Sequence, residues 1–122
     1  MHVKDWMNKN PQCVDVDAKV SEAVDLMAEN NIGAVLVTKD EQLAGIFTER
    51  DLLKRVVHKQ LDPAALPVSE VMTKQPETVS EDDDVVATYR HMLDTSFRHV
   101  PVIRDGRPVG MLSLRSLLNK MG

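Results

Sequence analysis

GIFTERDLLKRV at residues 45–56 and GMLSLRSLLNKM at residues 110–121 share one pattern. Each has a glycine, two large apolar residues, a hydroxyl residue, an arginine and a leucine pair in the same places. An offset of 65 positions registers the two, and the register extends outward without a gap, laying residues 3–56 on 68–121. Val3 falls on Val68, Met7 on Met72, Pro11 on Pro76, Asp17 on Asp82, Met27 on Met92, and Val35 and Val37 on Val100 and Val102. Chance aligns a few valines; it does not align Pro, Gly, Asp, Arg and Met together. The chain is therefore an internal repeat: residues 1–58, a linker over 59–67 that contains Pro63 and closes on Pro67, and residues 68–122.

Each copy reads alike. An arm (Val3–Met7, Val68–Met72) leads through Pro11 or Pro76 to an extended piece around Val14 or Val79. Asp17 and Asp82 are expected to cap the next helix, a carboxylate being a good acceptor for free helix N–H groups. Apolar residues recur there at helical spacing: Val20, Val24, Met27 and Ala28, then Val85, Tyr89, Met92 and Leu93. A strand pair follows, Ala34–Val37 with Leu43–Phe47, and Val100–Ile103 with Pro108–Leu112 across the hairpin signal Asp105–Gly106. Pro101 lacks an N–H and is expected at a sheet edge or strand start. A closing helix carries Leu52, Leu53, Val56 and Val57, or Leu117, Leu118 and Met121. The predicted fold is α+β: two tandem β-α-β-β-α repeats packed by pseudo-twofold symmetry. A unit of roughly 55 residues buries too little surface to be comfortable alone.

Composition narrows the function. The 122 residues are 43% hydrophobic and 28% charged, with 3% aromatics, so the core must be aliphatic. A net charge of −4 argues against a nucleic-acid partner. No apolar run nears the roughly 18 residues that insert in a membrane, and the start MHVKDWMNKNP is no secretory signal. With one cysteine, Cys13, no internal disulfide forms, and a cytoplasmic place is expected. The four histidines show no zinc spacing, and phosphate loops, dinucleotide loops and the serine elbow are missing, so neither a metal site nor a catalytic residue is expected. The acidic run Glu81–Asp84 reads as a helix start, and Met27 and Met92 read as core fillers.

Thr48 and Asp51 stand at the start of the first closing helix. A helix N-terminus favours phosphate, the Thr48 hydroxyl and Arg50 add a donor and a charge, and the Asp51 carboxylate accepts two hydrogen bonds from a ribose diol. Thr-x-x-Asp is equally the form of a capping box, which only stabilises the helix start. In the second copy Ser113 matches Thr48, but Ser116 replaces Asp51 and is a weaker ribose acceptor. Arg98, His99, Arg104, Arg107 and Arg115, with Asp105 as lone acid, make that region basic: either a site for a more phosphorylated ligand or a solvated surface.

The VxxxMxxxP arms, IGAVLV (32–37), RHVPV (98–102) and the Gly-apolar-apolar-Thr-x-x-Asp element at 45–51 resemble a CBS domain pair, named after cystathionine beta-synthase, over essentially the whole chain. The resemblance implies a flat module with two clefts, a homodimer, and a regulatory adenine-nucleotide sensor (AMP, ADP, ATP, NAD or S-adenosylmethionine) acting on an unidentified partner protein. It assigns Ile32, Gly33 and Ala34 to the walls of the Asp51 cleft, joined by Thr78 and Val79 of the other copy. By symmetry, Cys13 and Val14 line the second cleft with Ser113, Ser116, Arg98, His99 and Pro101. A ligand-free interaction or dimerisation module is the alternative, motivated by Ser116; a nucleotide hydrolase is disfavoured because a catalytic base, a metal and a nucleophile are all missing.

Overall fold

The computed structural model describes residues 1–121 and divides into two compact units whose borders differ from those of the repeats. One unit is 12–76; the other joins 1–11 to residues from 77 onward. The reason is an exchange of arms: each arm completes the sheet of the other copy.

In the 12–76 unit the elements are β1 (Cys13–Asp15), α1 (Val20–Asn30), β2 (Ala34–Lys39), β3 (Gln42–Thr48), α2 (Glu49–Asp51) and β4 (Thr73–Lys74). The sheet order is β1-β2-β3-β4. β1 runs parallel to β2, while β3 is antiparallel to both β2 and β4. β4 belongs to the second arm, and Gly45 of β3 lets it approach: a Cβ there would meet the Thr73 carbonyl oxygen at 2.7 Å and the Met72 sulfur at 2.6 Å. Val14, Val20, Ala23, Met27, Val35, Val37, Phe47 and Val56 form the core, with Val68, Val71 and Met72 added by the arm. α2 does not continue as an α-helix. Leu52–Val57 is π-helical, its bonds reaching back five residues as in His58 N–H to the Leu53 carbonyl at 2.9 Å. π turns are rare and concentrate near functional sites.

The second unit repeats the plan with α3 (Val85–Thr95), β5 (His99–Arg104), β6 (Arg107–Ser113) and α4 (Leu114–Met121). The first arm bridges β6 through Asn8 and Met111, and Val79 bridges Val102 of β5 in parallel. Gly110 matches Gly45: a Cβ would strike the Met7 sulfur and lie 2.9 Å from the Asn8 carbonyl oxygen. Val3, Met7, Val85, Met92, Val100, Val102, Leu112 and Leu117 form this core. Both hairpins slip register at the same place in the repeat, Val37/Thr38 and Val102/Ile103. Both long helices end on a left-handed residue, Asn31 (φ 54°) and Ser96 (φ 64°).

Several expectations need correction. Asp17 and Asp82 do not cap their helices. α1 starts after Lys19 with no side-chain cap, whereas Asp84 caps α3 by accepting from Ala87 N–H at 3.0 Å. The acidic run disperses: Asp83 closes a turn onto Ser80 N–H, and Glu81 pairs with Arg104. Asp105 is therefore not the only acid in the basic region, since Glu81 neutralises Arg104. The expectation for Pro101 holds in its first form: it lies inside β5 opposite Met111, on an edge strand of the two-stranded β5-β6 sheet rather than at a strand start. It is tolerated because the outer ladder begins only at its carbonyl, which accepts from Val79 N–H at 3.0 Å, so no N–H is needed there. Ala28, Leu93, Leu53, Val57 and Leu118, counted on the apolar faces of their helices, are exposed.

Candidate functional site

β3 delivers Thr48 to the N-cap of α2 in extended conformation (φ −116°, ψ 167°). Both halves of a capping box then form. Thr48 Oγ1 accepts from Asp51 N–H at 3.2 Å, and Asp51 Oδ2 accepts from Thr48 N–H at 3.0 Å. The Thr48 hydroxyl also lies 3.1 Å from Oδ2. Capping is thus a real role of Thr-x-x-Asp here. It does not account for Oδ1, the other oxygen of the carboxylate, which faces the arm. Thr73 Oγ1 donates to it at 3.1 Å, and Arg55 Nε stands 3.5 Å away. Arg55 in turn donates through Nη1 to the Met72 carbonyl at 3.0 Å. The Asp51 side chain is only 7% exposed. Burying a carboxylate costs several kcal/mol unless it is paired and hydrogen-bonded, as this one is.

The predicted wall lies beside it. Ala34 is the cross-strand partner of Thr48, and Glu49 N–H donates to the Gly33 carbonyl at 3.0 Å, setting Ile32, Gly33 and Ala34 against the helix start. Arg50 is exposed next to them. Six of the predicted residues, Thr48, Arg50, Asp51, Ile32, Gly33 and Ala34, therefore converge within one unit. Thr78 and Val79 belong to the other unit. There they line an open groove of about 540 Å³ with Glu77, Asp83, Asp84 and α3, where His91 pairs with Glu77 at 2.5 Å.

In the second unit Ser113 and His99 are cross-strand partners, and Leu114 N–H donates to the Arg98 carbonyl at 2.8 Å, so Arg98, His99, Ser113 and Ser116 converge in the same way. The two serines satisfy each other: Ser113 Oγ donates to Ser116 Oγ at 2.7 Å and accepts from Ser116 N–H at 3.1 Å. Ser116 is exposed. Pro101 is buried in the same unit, while Cys13 and Val14 lie on β1 of the other. What burial Cys13 has pushes its thiol up. Among the described residues no cluster of His, Cys, Asp and Glu could hold a metal, and no helix is long and apolar enough to cross a membrane.

Thr73 and Arg55 were not anticipated. Arg55 is four residues beyond Asp51 on the same helix, a spacing at which opposite charges meet, so the signal was present. Thr73 carried none, because its contact with Asp51 depends on the arm pairing with β3.

The CBS domain profile matches residues 3–58 and again 68–122. A CBS domain-containing protein of Arabidopsis thaliana, CBSCBSPB1, is 34% identical over 106 residues, 86% of this chain and 20% of that protein. The chain thus spans about a fifth of that relative's length. A CBS domain protein from Pyrobaculum aerophilum complexed with AMP is 27% identical with TM-score 0.86, covering 96% of this chain and 90% of that one. The CBS domain pair of protein MJ0100, in complex with 5-methylthioadenosine and S-adenosyl-L-methionine, is 25% identical with TM-score 0.89, covering 100% and 96%. Repeat, fold and arm sequences agree with these matches, and the chain belongs to the CBS domain family.

Proposed function

We propose that the protein is a cytoplasmic, non-enzymatic regulatory module that binds an adenine nucleotide (AMP, ADP or ATP, with NAD or S-adenosylmethionine as further candidates) and, as a homodimer, acts on a partner protein. The observation that carries this is the buried Asp51 carboxylate at the α2 N-terminus, with Thr48 and the small wall Gly33–Ala34 beside it. In this reading Asp51 takes the ribose hydroxyls, while Thr48, Arg50 and the helix N-terminus take the phosphate. Ile32, Gly33 and Ala34 flank the base. The adenine-bearing ligands of two structural neighbours support it. The cleft of Ser113, Ser116, Arg98, His99 and Pro101 is the weaker one, because no carboxylate stands at position 116. Regulation then requires that the ligand bind two arrangements of the protein with different affinity.

A second reading, a ligand-free interaction or dimerisation module, is favoured by one feature: internal partners already surround the Asp51 carboxylate.

A thermal-shift panel with AMP, ADP, ATP, NAD and S-adenosylmethionine, and GMP as control, separates the two. A ligand at 100 times its Kd stabilises by about 2.7 kcal/mol, several degrees in a domain of this size. The expected result is a shift with adenine ligands and not GMP, lost in Asp51→Ala. No shift with any ligand, from protein shown to carry no co-purified nucleotide, leaves the interaction module.

A further inference from the structure

We infer that Thr73 and Arg55 govern access to Asp51, so that a ribose binds by taking the carboxylate away from the second arm. The inference rests on the reading of Asp51 as the ribose ligand. A carboxylate has about four acceptor positions. Those on Oδ2 serve the capping box through Thr48 N–H and the Thr48 hydroxyl. Oδ1 remains, faced by Thr73 Oγ1, which donates to it at 3.1 Å and also lies 3.3 Å from Oδ2, and by Arg55 Nε as an ion pair at 3.5 Å. A ribose diol offers two O–H donors and needs two acceptor positions, so it competes with these two side chains rather than with the helix cap.

Both competitors belong to the arm's anchorage. Thr73 lies in the two-residue strand β4, opposite Ile46. Arg55 bridges Asp51 to the Met72 carbonyl. Displacing Thr73 therefore weakens the fixing of β4, and β4 lies just before Pro76, where the chain leaves this unit. Ligand binding is thereby coupled to the segment that connects the two units. The second unit keeps the basic clasp without the acid: Lys120, in the place of Arg55, donates to the Trp6 carbonyl at 3.0 Å, but Ser116 and Asn8 stand where Asp51 and Thr73 would be. The clasp alone holds an arm; the carboxylate and threonine add the coupling.

The test is calorimetric titration of the full chain with AMP and with 2′-deoxy-AMP. Thr73→Val removes one competing donor and keeps the shape. It should bind AMP about threefold to tenfold more tightly, the worth of one hydrogen bond. Its preference for AMP over 2′-deoxy-AMP should widen, and Thr73→Ser, which keeps the hydroxyl, should return wild-type values. AMP should also speed hydrogen exchange at residues 72–74 of the wild type. Unchanged or weaker AMP binding by Thr73→Val, with binding still lost in Asp51→Ala, overturns this inference and spares the nucleotide reading. AMP binding that survives Asp51→Ala, or a wild type that binds none of AMP, ADP, ATP, NAD and S-adenosylmethionine, overturns both; if one of the others binds in place of AMP, the same titrations are run with it and its 2′-deoxy form.

Discussion

The helix starts at Thr48 and Ser113 occupy equivalent places in the two units and solve the same local problem with different residues. Each has a hydroxyl N-cap that accepts from the N–H three residues on, at 3.2 Å for Asp51 and 3.1 Å for Ser116. Each has a basic residue four positions further that clasps the carbonyls of an arm, Arg55 on Met72 and Lys120 on Trp6. Only one has a buried carboxylate. Ser116 shows that capping and arm clasping proceed without the charge, at an exposed and solvated position. The burial of Asp51 is therefore not required for capping or for clasping the arm; what the carboxylate adds is its bond to Thr73 and its pairing with Arg55. That difference is the strongest physical reason to look for ligand chemistry in the first cleft rather than the second.

Where the two units are alike they should break alike. A methyl group at Gly45 or Gly110 would push on the arm's backbone and its methionine, with the Thr73 and Asn8 carbonyl oxygens 2.7 and 2.9 Å from the new Cβ. The methionine can move; the carbonyls can not without undoing the arm's pairing. Gly45→Ala and Gly110→Ala should each cost about 3 kcal/mol in urea unfolding. A variant that loses less than about 1 kcal/mol would mean that its arm is loosely held, and the equivalence of the two exchanges would go with it.

Where they differ, the site itself should respond. Asp51→Asn keeps the size of the side chain but turns an acceptor into a donor facing Thr73 and Arg55. The expected loss is about 1–3 kcal/mol, the cost of leaving a buried polar group unsatisfied. Ser116→Ala, at an exposed position, should stay within about 0.5 kcal/mol. Equal losses would place Asp51 among ordinary caps and remove the asymmetry on which the ribose assignment leans.

The repeat made most of the fold legible. Gapless matching of Pro, Gly and Met set the hairpins and the two cores, because local periodicity and turn chemistry decide them. The exchange of arms was not legible. Val68–Met72 and Val3–Met7 carry the same apolar pattern, and nothing local says which sheet receives them; Gly45 and Gly110 carry the contact, but a glycine reads the same at a bulge. The helix caps failed for a related reason. Asp17 and Asp82 match in the repeat, yet the chain turns two or three residues later, and Asp84, with no acidic counterpart at Lys19, does the capping. At the site, convergence of Ile32–Ala34 with Thr48 and Asp51 followed from the hairpin. Thr73 did not, since its position depends on the arm.

Cys13 offers the smallest test of the comparison, because its counterpart is Thr78. Its thiol is held above the ordinary 9.0 by burial, which favours the uncharged form. A group whose pKa is raised by folding adds stability that is fully present below its unfolded value and is lost as pH rises through the folded one. The wild type should therefore lose stability above pH 9.0 in part through this thiol. Cys13→Thr, which copies the second repeat, should remove that part of the alkaline loss and change nothing near neutrality. The effect is below the two above, since the burial that raises the thiol is only partial and water still screens the thiolate. Alkylation by iodoacetamide at pH 8 should also run slower than that of an unstructured cysteine peptide, because the nucleophile is the thiolate. A faster reaction would mean that the sulfur is freely solvated on β1. The raised pKa would then have lost its cause, and Cys13 would be no different from a solvated threonine at the same place in the repeat.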